Sequence, residues 1–195
     1  MDSIYGEHRP KMEQSLNEVL DHISSIRFDL KNKNGMDPVE HCLYRIKAED
    51  SMREKCRRNH LPENEDSALL RLHDAIGVRV VCAFLSDVYA IRDGLRALPD
   101  ITVTDEKDYI TRAKPNGYRS YHMIIKTRQG YFVEIQLRTV SMDTWASLEH
   151  HMKYKKALSG NVELFSSELK RCADELASTD VSMQAIRDLI FEDNR

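Results

Sequence analysis

The residues best suited to chemistry lie between Lys107 and Thr139, where a polar loop with a glycine pivot runs into two strand-like runs. Phe132, Glu134, Gln136 and Arg138 alternate there with Val133, Ile135 and Leu137. Period-two alternation sends the second set into a core and leaves a carboxylate, an amide and a guanidinium in a row on the opposite face. Taken alone, that row reads equally well as a solvated strand face. The preceding loop shifts the balance, because Lys107, Asp108, Tyr109, Lys114, Asn116, Tyr118, Arg119, Ser120 and His122 fall within sixteen residues. An ordinary hairpin connection does not need that many polar and aromatic groups, whereas a binding loop does.

A second concentration follows Tyr44, where Arg45, Lys47, Arg53, Lys55, Arg57 and Arg58 outnumber Glu49, Asp50 and Glu54. Tyr44 to Lys47 reads as extended, and Glu49 to Arg58 as a helix that puts Ser51 and Lys55 on one face. Such a helix is either a solvated face with local ion pairs or a cradle in which Lys and Arg offset polyphosphate charge. Asp74 and Arg79 flank the entry to a later strand, where a carboxylate ordinarily serves as a cap. Glu149, His150 and His151 adjoin one another, but without the HExxH spacing of a zinc helix.

The elements that must position these groups follow from periodicity. Met12, Leu16, Val19, Leu20, Ile23, Ile26 and Leu30 step by threes and fours and predict an amphipathic helix, stopped by Gly35 and Pro38. LPENEDS is a loop with Asp66 or Ser67 as N-cap of a short helix through Leu69, Leu70 and Leu72. Val78, Val80, Cys82 and Phe84 alternate with Arg79, Val81 and Ala83. Both sets are largely apolar, which predicts a strand buried on both sides. Ser86 is expected to cap a helix through Val88, Ile91, Leu95 and Leu98, and a strand follows near Ile101 to Thr104. MDTWASLEHHMKYKK predicts a helix with Trp145, Leu148 and Met152 as its apolar stripe and Glu149, His150, Tyr154 and Lys155 as polar positions. A last helix, Val162 to Phe191, reads as a packing helix that Thr179 and Asp180 kink or split.

Bulk composition narrows the classes. A net charge of −3 gives no overall attraction to nucleic acid. No apolar run approaches membrane-spanning length, and the first residues are too polar for export. Cys42, Cys56, Cys82 and Cys172 are scattered without a CxxC pair, so reduced thiols in a cytoplasmic protein are expected.

In order, YRIKAEDSMREK, HDAIGVRVVC, KDYI…KPNGYRSYH, VEIQLRT and MDTWASLEH resemble the synthetase domain of RelA/SpoT-type alarmone enzymes, from about Tyr44 to Lys155. The resemblance implies an α/β (α+β) fold, a mixed β-sheet flanked by helices, like nucleotidyltransferases. It implies a single domain over 1–195, with its core at about 40–156, an N-terminal helix over 8–31 and a C-terminal helical region over 160–193. The chain is short for the hydrolase and regulatory domains of the long enzymes, so a stand-alone small alarmone synthetase is expected. The residues before Arg45, with YRIK and DSIYG, look closer to the RelP-like branch.

That family transfers the β,γ-pyrophosphate of ATP to the 3′-hydroxyl of GDP or GTP, giving ppGpp or pppGpp and AMP. By the resemblance, Arg45 and Arg79 sandwich adenine, while Lys47, Ser51 and Lys55 surround the ATP phosphates. Asp74 and Glu134 are the catalytic carboxylates and hold Mg²⁺, with Glu134 the group chosen as general base. Tyr118 stacks on guanine, and Lys107, Lys114, Asn116, Ser120, His122 and Gln136 surround GDP or GTP. Arg53 is a further candidate for phosphate. Ala48 departs from the Ser or Pro that often follows the RxK motif. A homotetramer is implied, with no membrane or nucleic-acid partner. The rivals are a same-fold toxin acting on the tRNA 3′ end or on adenine nucleotides, and a non-catalytic nucleotide-binding domain.

Overall fold

The computed structural model describes residues 2–155 and 162–192, without side-chain placement for 153–155 and 162. The expectations at Tyr154, Lys155 and Val162 therefore lie outside the described side chains. In chain order the elements are α1 (Arg9–Asn34), β1 (Val39–Ile46), α2 (Glu49–Arg58), β2 (Ile76–Cys82), α3 (Leu85–Arg96), β3 (Thr102–Asp108), β4 (Tyr121–Lys126), β5 (Phe132–Thr139), α4 (Val140–Lys155) and α5 (Val162–Glu192). The strands form one sheet in the order β1-β2-β5-β4-β3. The β2–β5 pair is parallel and the others are antiparallel, so the sheet is mixed and flanked by helices, as expected.

One face of the sheet is core. Val78, Val80, Met123, Ile125, Val133, Ile135 and Leu137 are buried, together with Met12, Leu16, Val19 and Ile23 of α1 and Val88, Ile91 and Leu95 of α3. The predicted stripe of α1 is the face that packs, and burying side chains of this size contributes about 1.5–3 kcal/mol each. Gly35 ends α1 with φ 73° and returns its N–H to the Lys31 carbonyl at 2.8 Å, a left-handed cap that suits glycine.

Several local expectations give way to tertiary packing. Asp66 stands at its helix start but pairs with Arg71 at 2.9 Å, and Asn64 Oδ1 accepts the Ser67 N–H at 3.0 Å instead. Ser86 is not the cap of α3. The Phe84 N–H donates to the Asp87 carboxylate at 3.2 Å, while the Ser86 N–H reaches Gln184 at 3.0 Å. Trp145 is buried and donates its indole N–H to the Leu169 carbonyl at 2.8 Å, but Leu148 and Met152 are exposed. Among the described residues, α5 packs against the Trp145 side of α4.

α5 is unbroken at Thr179 and Asp180. The Thr179 hydroxyl bonds back to the Glu175 carbonyl at 3.0 Å, and buried Asp180 accepts from Thr139 at 2.6 Å. Nor is α5 packed along its length: Leu164, Phe165, Val181, Met183, Ile186, Leu189 and Ile190 are exposed. No helix among the described residues is long and apolar enough to cross a membrane.

Candidate active site

The second face of the sheet carries the polar groups, and strand register lays them in two adjoining rows. Leu43, Arg79, Gln136, His122 and Lys107 are cross-strand neighbours in turn, and so are Arg45, Gly77, Glu134 and Ile124. The central strand positions Glu134 and Gln136 on this face because Val133, Ile135 and Leu137 point into the core. Above the rows is a cleft of about 210 Å³, lined by Tyr44, Arg45, Gly77, Arg79, Glu134 and Gln136 with their neighbours. Residues of β1, β2 and β5 therefore meet in one place.

At one end of the cleft, Asp74 enters β2 beside the β1–α2 connection, and the Lys47 N–H bonds to the Ala75 carbonyl at 2.8 Å. Asp74 Oδ2 is in contact with Lys47 Nζ and lies 2.6 Å from Lys55 Nζ. Burial pushes the Asp74 carboxyl up, but the two ammonium groups outweigh it and hold the group below the usual range. Its other oxygen, Oδ1, is buried with no hydrogen-bond partner among the described residues. Ser51 stands exposed on α2. Arg53 is engaged elsewhere: it donates to the Asp2 carbonyl and lies 3.7 Å from Glu63.

Toward the acceptor loop, Glu134 is tied to Tyr118 and His122 by a relay of polar contacts. Its Oε1 is 3.7 Å from His122 Nδ1, and its Oε2 accepts from Gln136 at 3.2 Å. Arg138 donates to the Tyr118 hydroxyl at 2.8 Å and to Gln136 Oε1 at 2.9 Å. The Tyr118 hydroxyl lies 2.8 Å from His122 Nε2. Burial raises the Glu134 carboxyl, but the contacts with His122 and Gln136 together outweigh it and hold the group below its ordinary value. Glu134 is thus a carboxylate at neutral pH.

The loop itself is braced by α5. Gly117 has φ 90°, and a Cβ there would lie 2.6 Å from Ala173 Cβ and 3.2 Å from the Lys170 backbone, so only glycine fits. Arg119 pairs with Asp174 at 3.0 Å. Asn116 accepts the Tyr118 N–H at 3.2 Å and donates to Glu149 at 3.3 Å. Lys114 Nζ lies 4.5 Å from the Tyr109 ring centre and 5.0 Å from that of Tyr118. Two expected acceptor residues are placed otherwise. Ser120 is fully buried and donates its hydroxyl to the Leu137 carbonyl at 3.2 Å, so it fastens the loop to β5. Lys107 is on the correct face but exposed and paired with Asp105 at 2.9 Å.

The model of a region found in RelA/SpoT proteins matches residues 44–159. The chain belongs to the RelA/SpoT family. It is 34% identical over 187 residues to the GTP pyrophosphokinase YjbM of Bacillus subtilis, covering 92% of this chain and 86% of that one. It is 38% identical over 162 residues to YwaC of the same organism, covering 79% and 76%. The fold superimposes on the crystal structure of small alarmone synthetase 1 from Bacillus subtilis bound to its product pppGpp. The TM-score is 0.78 at 32% identity, with 92% of this chain and 94% of that chain covered.

Within this RelA/SpoT site, sequence reasoning missed Arg138 and Asp143. Asp143 Oδ1 is 3.3 Å from Arg79 and 3.0 Å from Arg138. The alternation did place Arg138 beside Glu134 and Gln136, a signal that could have included it. Asp143 pairs with nearby Arg138, but nothing local marks its second partner, Arg79, which is distant in sequence.

Proposed function

We propose that this chain is a GTP/GDP 3′-pyrophosphokinase that moves the β,γ-pyrophosphate of ATP to the 3′-hydroxyl of GDP or GTP. The observation that carries the reading is the position of Glu134. It stands in the strand register between the arginine and lysine side of the cleft and the Tyr118, His122 and Gln136 side. Two nucleotides can then approach one carboxylate from opposite ends. The relatives named GTP pyrophosphokinase, and the neighbours solved with pppGpp and with AMPCPP, support that assignment.

On this reading the planar guanidinium groups of Arg45 and Arg79 stack on adenine, which a lysine could not do equally. Lys47 and Lys55 trade the Asp74 carboxylate for phosphate oxygens as ATP binds. Tyr118 offers a ring face to guanine, and the Lys114 ammonium now lying over that ring moves toward the acceptor phosphates. Asn116, His122 and Gln136 complete the acceptor side. Glu134, ionised, takes the proton of the ribose 3′-hydroxyl as its oxygen attacks the β-phosphorus. The bond from that phosphorus to the α,β-bridging oxygen breaks, and AMP leaves. The gain comes from alignment and charge neutralisation more than from covalent participation.

Magnesium fits the donor set. Asp74 and Glu134 are hard oxygen ligands, and Asp74 Oδ1 is buried without a protein partner among the described residues. When bound, Mg²⁺ supplies charge neutralisation on the transferred pyrophosphate. The exposed Val181, Met183, Ile186, Leu189 and Ile190 of α5 suit the contacts of a homotetramer, and a cytoplasmic location belongs to the same reading. The test is incubation with γ-labelled ATP and, separately, GMP, GDP, GTP, ADP or tRNA. Label on GDP or GTP supports the proposal. Label on tRNA or ADP alone replaces it with the toxin reading, and no transfer at all favours a non-catalytic domain.

A further inference from the structure

The row Arg45, Gly77, Glu134 has a bare Cα at its centre. Nothing in the fold explains that. A Cβ built on Gly77 meets no atom within 4 Å, so close packing does not exclude a side chain. The backbone does not exclude one either: Gly6, Gly35, Gly117 and Gly130 have positive φ, whereas Gly77 lies in regular strand, paired on both sides. Glycine in a strand interior is locally unfavourable, and it commonly marks a place where a ligand or another backbone comes close. Gly117 is the contrast, a glycine that the packing of α5 demands.

We infer that Gly77 is a specificity-determining floor residue of the donor site, whose missing side chain leaves the volume that the ATP nucleoside occupies. This rests on the donor-site reading above and adds to it a steric element. Gly77 shares its face with Arg79 and sits directly across from Arg45, so a side chain at 77 would project between the two guanidinium groups and Glu134. The Lys47, Lys55 and Asp74 cluster lies further toward the start of β2, which assigns the phosphates there and the nucleoside over Gly77. The acceptor loop runs into β4, and β5 stands between β4 and the strand that carries Gly77. The cost of a side chain therefore falls on ATP and not on the guanine nucleotide.

The test compares the unsubstituted protein with Gly77→Ala and Gly77→Val, using calorimetric melting without ligand, titration with a non-hydrolysable ATP analogue, and KM for ATP and GDP. Melting temperatures at or above that of the unsubstituted chain are expected, since a strand-forming residue replaces glycine. The analogue should bind about 5- to 150-fold more weakly to Gly77→Val, with Gly77→Ala between. KM for ATP should rise in parallel, and KM for GDP should hold. Unchanged analogue binding by Gly77→Val overturns the inference. So does a lowered melting temperature for Gly77→Ala, which would show that the fold itself needs the glycine. An unsubstituted chain that fails to bind the analogue removes the donor-site reading as well.

Discussion

Arg79 and Arg138 share one carboxylate oxygen, Asp143 Oδ1, at 3.3 and 3.0 Å. Arg79 belongs to the proposed adenine side and Arg138 supports Tyr118 on the guanine side, so one residue of α4 steadies both halves of the cleft. Burial, then the charge of Arg138, holds the Arg79 guanidinium below its usual value, and Asp143 opposes both. Asp143→Asn keeps the shape but leaves two crowded cations without their anion. The expected result is a loss of about 2 kcal/mol in unfolding free energy, with KM raised for both ATP and GDP. A change in one KM alone would contradict the shared role.

Tyr118 separates guanine recognition from general phosphate binding. Base stacking on an aromatic ring is worth roughly 1–3 kcal/mol, so Tyr118→Ala should raise KM for GDP or GTP about 5- to 150-fold. ATP-analogue binding should hold.

The Tyr118 hydroxyl carries a separate prediction. From the sequence the ring face alone matters, yet the hydroxyl takes a bond from Arg138 and lies 2.8 Å from His122 Nε2. Tyr118→Phe should therefore lower kcat about 2- to 13-fold while leaving KM for GDP close to its starting value. Full activity in the Phe variant would make the hydroxyl a bystander.

Arg79→Lys keeps the charge and can still reach Asp143, but loses the flat stacking surface. KM for ATP should rise well beyond any change in KM for GDP. Equal changes in the two would reduce Arg79 to a strand-end ion pair.

A pH prediction rests on the turn between α1 and β1. Arg27 grips Asp37 through two bonds of 2.7 and 2.9 Å, and this hydrogen bonding draws the Asp37 carboxyl down to about 2. A carboxyl depressed on folding adds stability that is fully present above its unfolded value near 3.8 and is lost as pH falls through about 2. Because the pair is partly exposed, the contribution is about 1 kcal/mol after screening. Melting curves of Asp37→Asn should sit below the parent at pH 6 and converge with it near pH 2.

Much of the site was legible because its signals are local. The alternation of Val133, Ile135 and Leu137 with Glu134 and Gln136 is a property of five consecutive residues, and burial follows it residue for residue. The basic stretch after Tyr44 likewise gave Lys47 and Lys55, although only the fold shows both on Asp74. Pairings across the chain were not legible. Ser120 reads as a polar loop residue, but the close approach of the loop to β5 buries it. Arg53 has the right charge and neighbourhood and is diverted by the N-terminal segment. The outward apolar residues of α5 read as core from periodicity alone, since periodicity shows that a face is apolar and not what covers it.

The central claim is that Glu134 drives pyrophosphate transfer, and not simple phosphoryl transfer, to a guanine nucleotide. The direct measurement follows γ-labelled ATP with GDP, counting labelled guanosine product and AMP together, for the parent and for Glu134→Gln. The account predicts equal amounts of AMP and labelled product in the parent, with little ADP. In Glu134→Gln the rate should fall by about 10²–10⁴-fold while melting and ATP-analogue binding are kept. ADP as the parent's main adenine product would contradict the account, as would a Glu134→Gln protein retaining more than about a tenth of the activity.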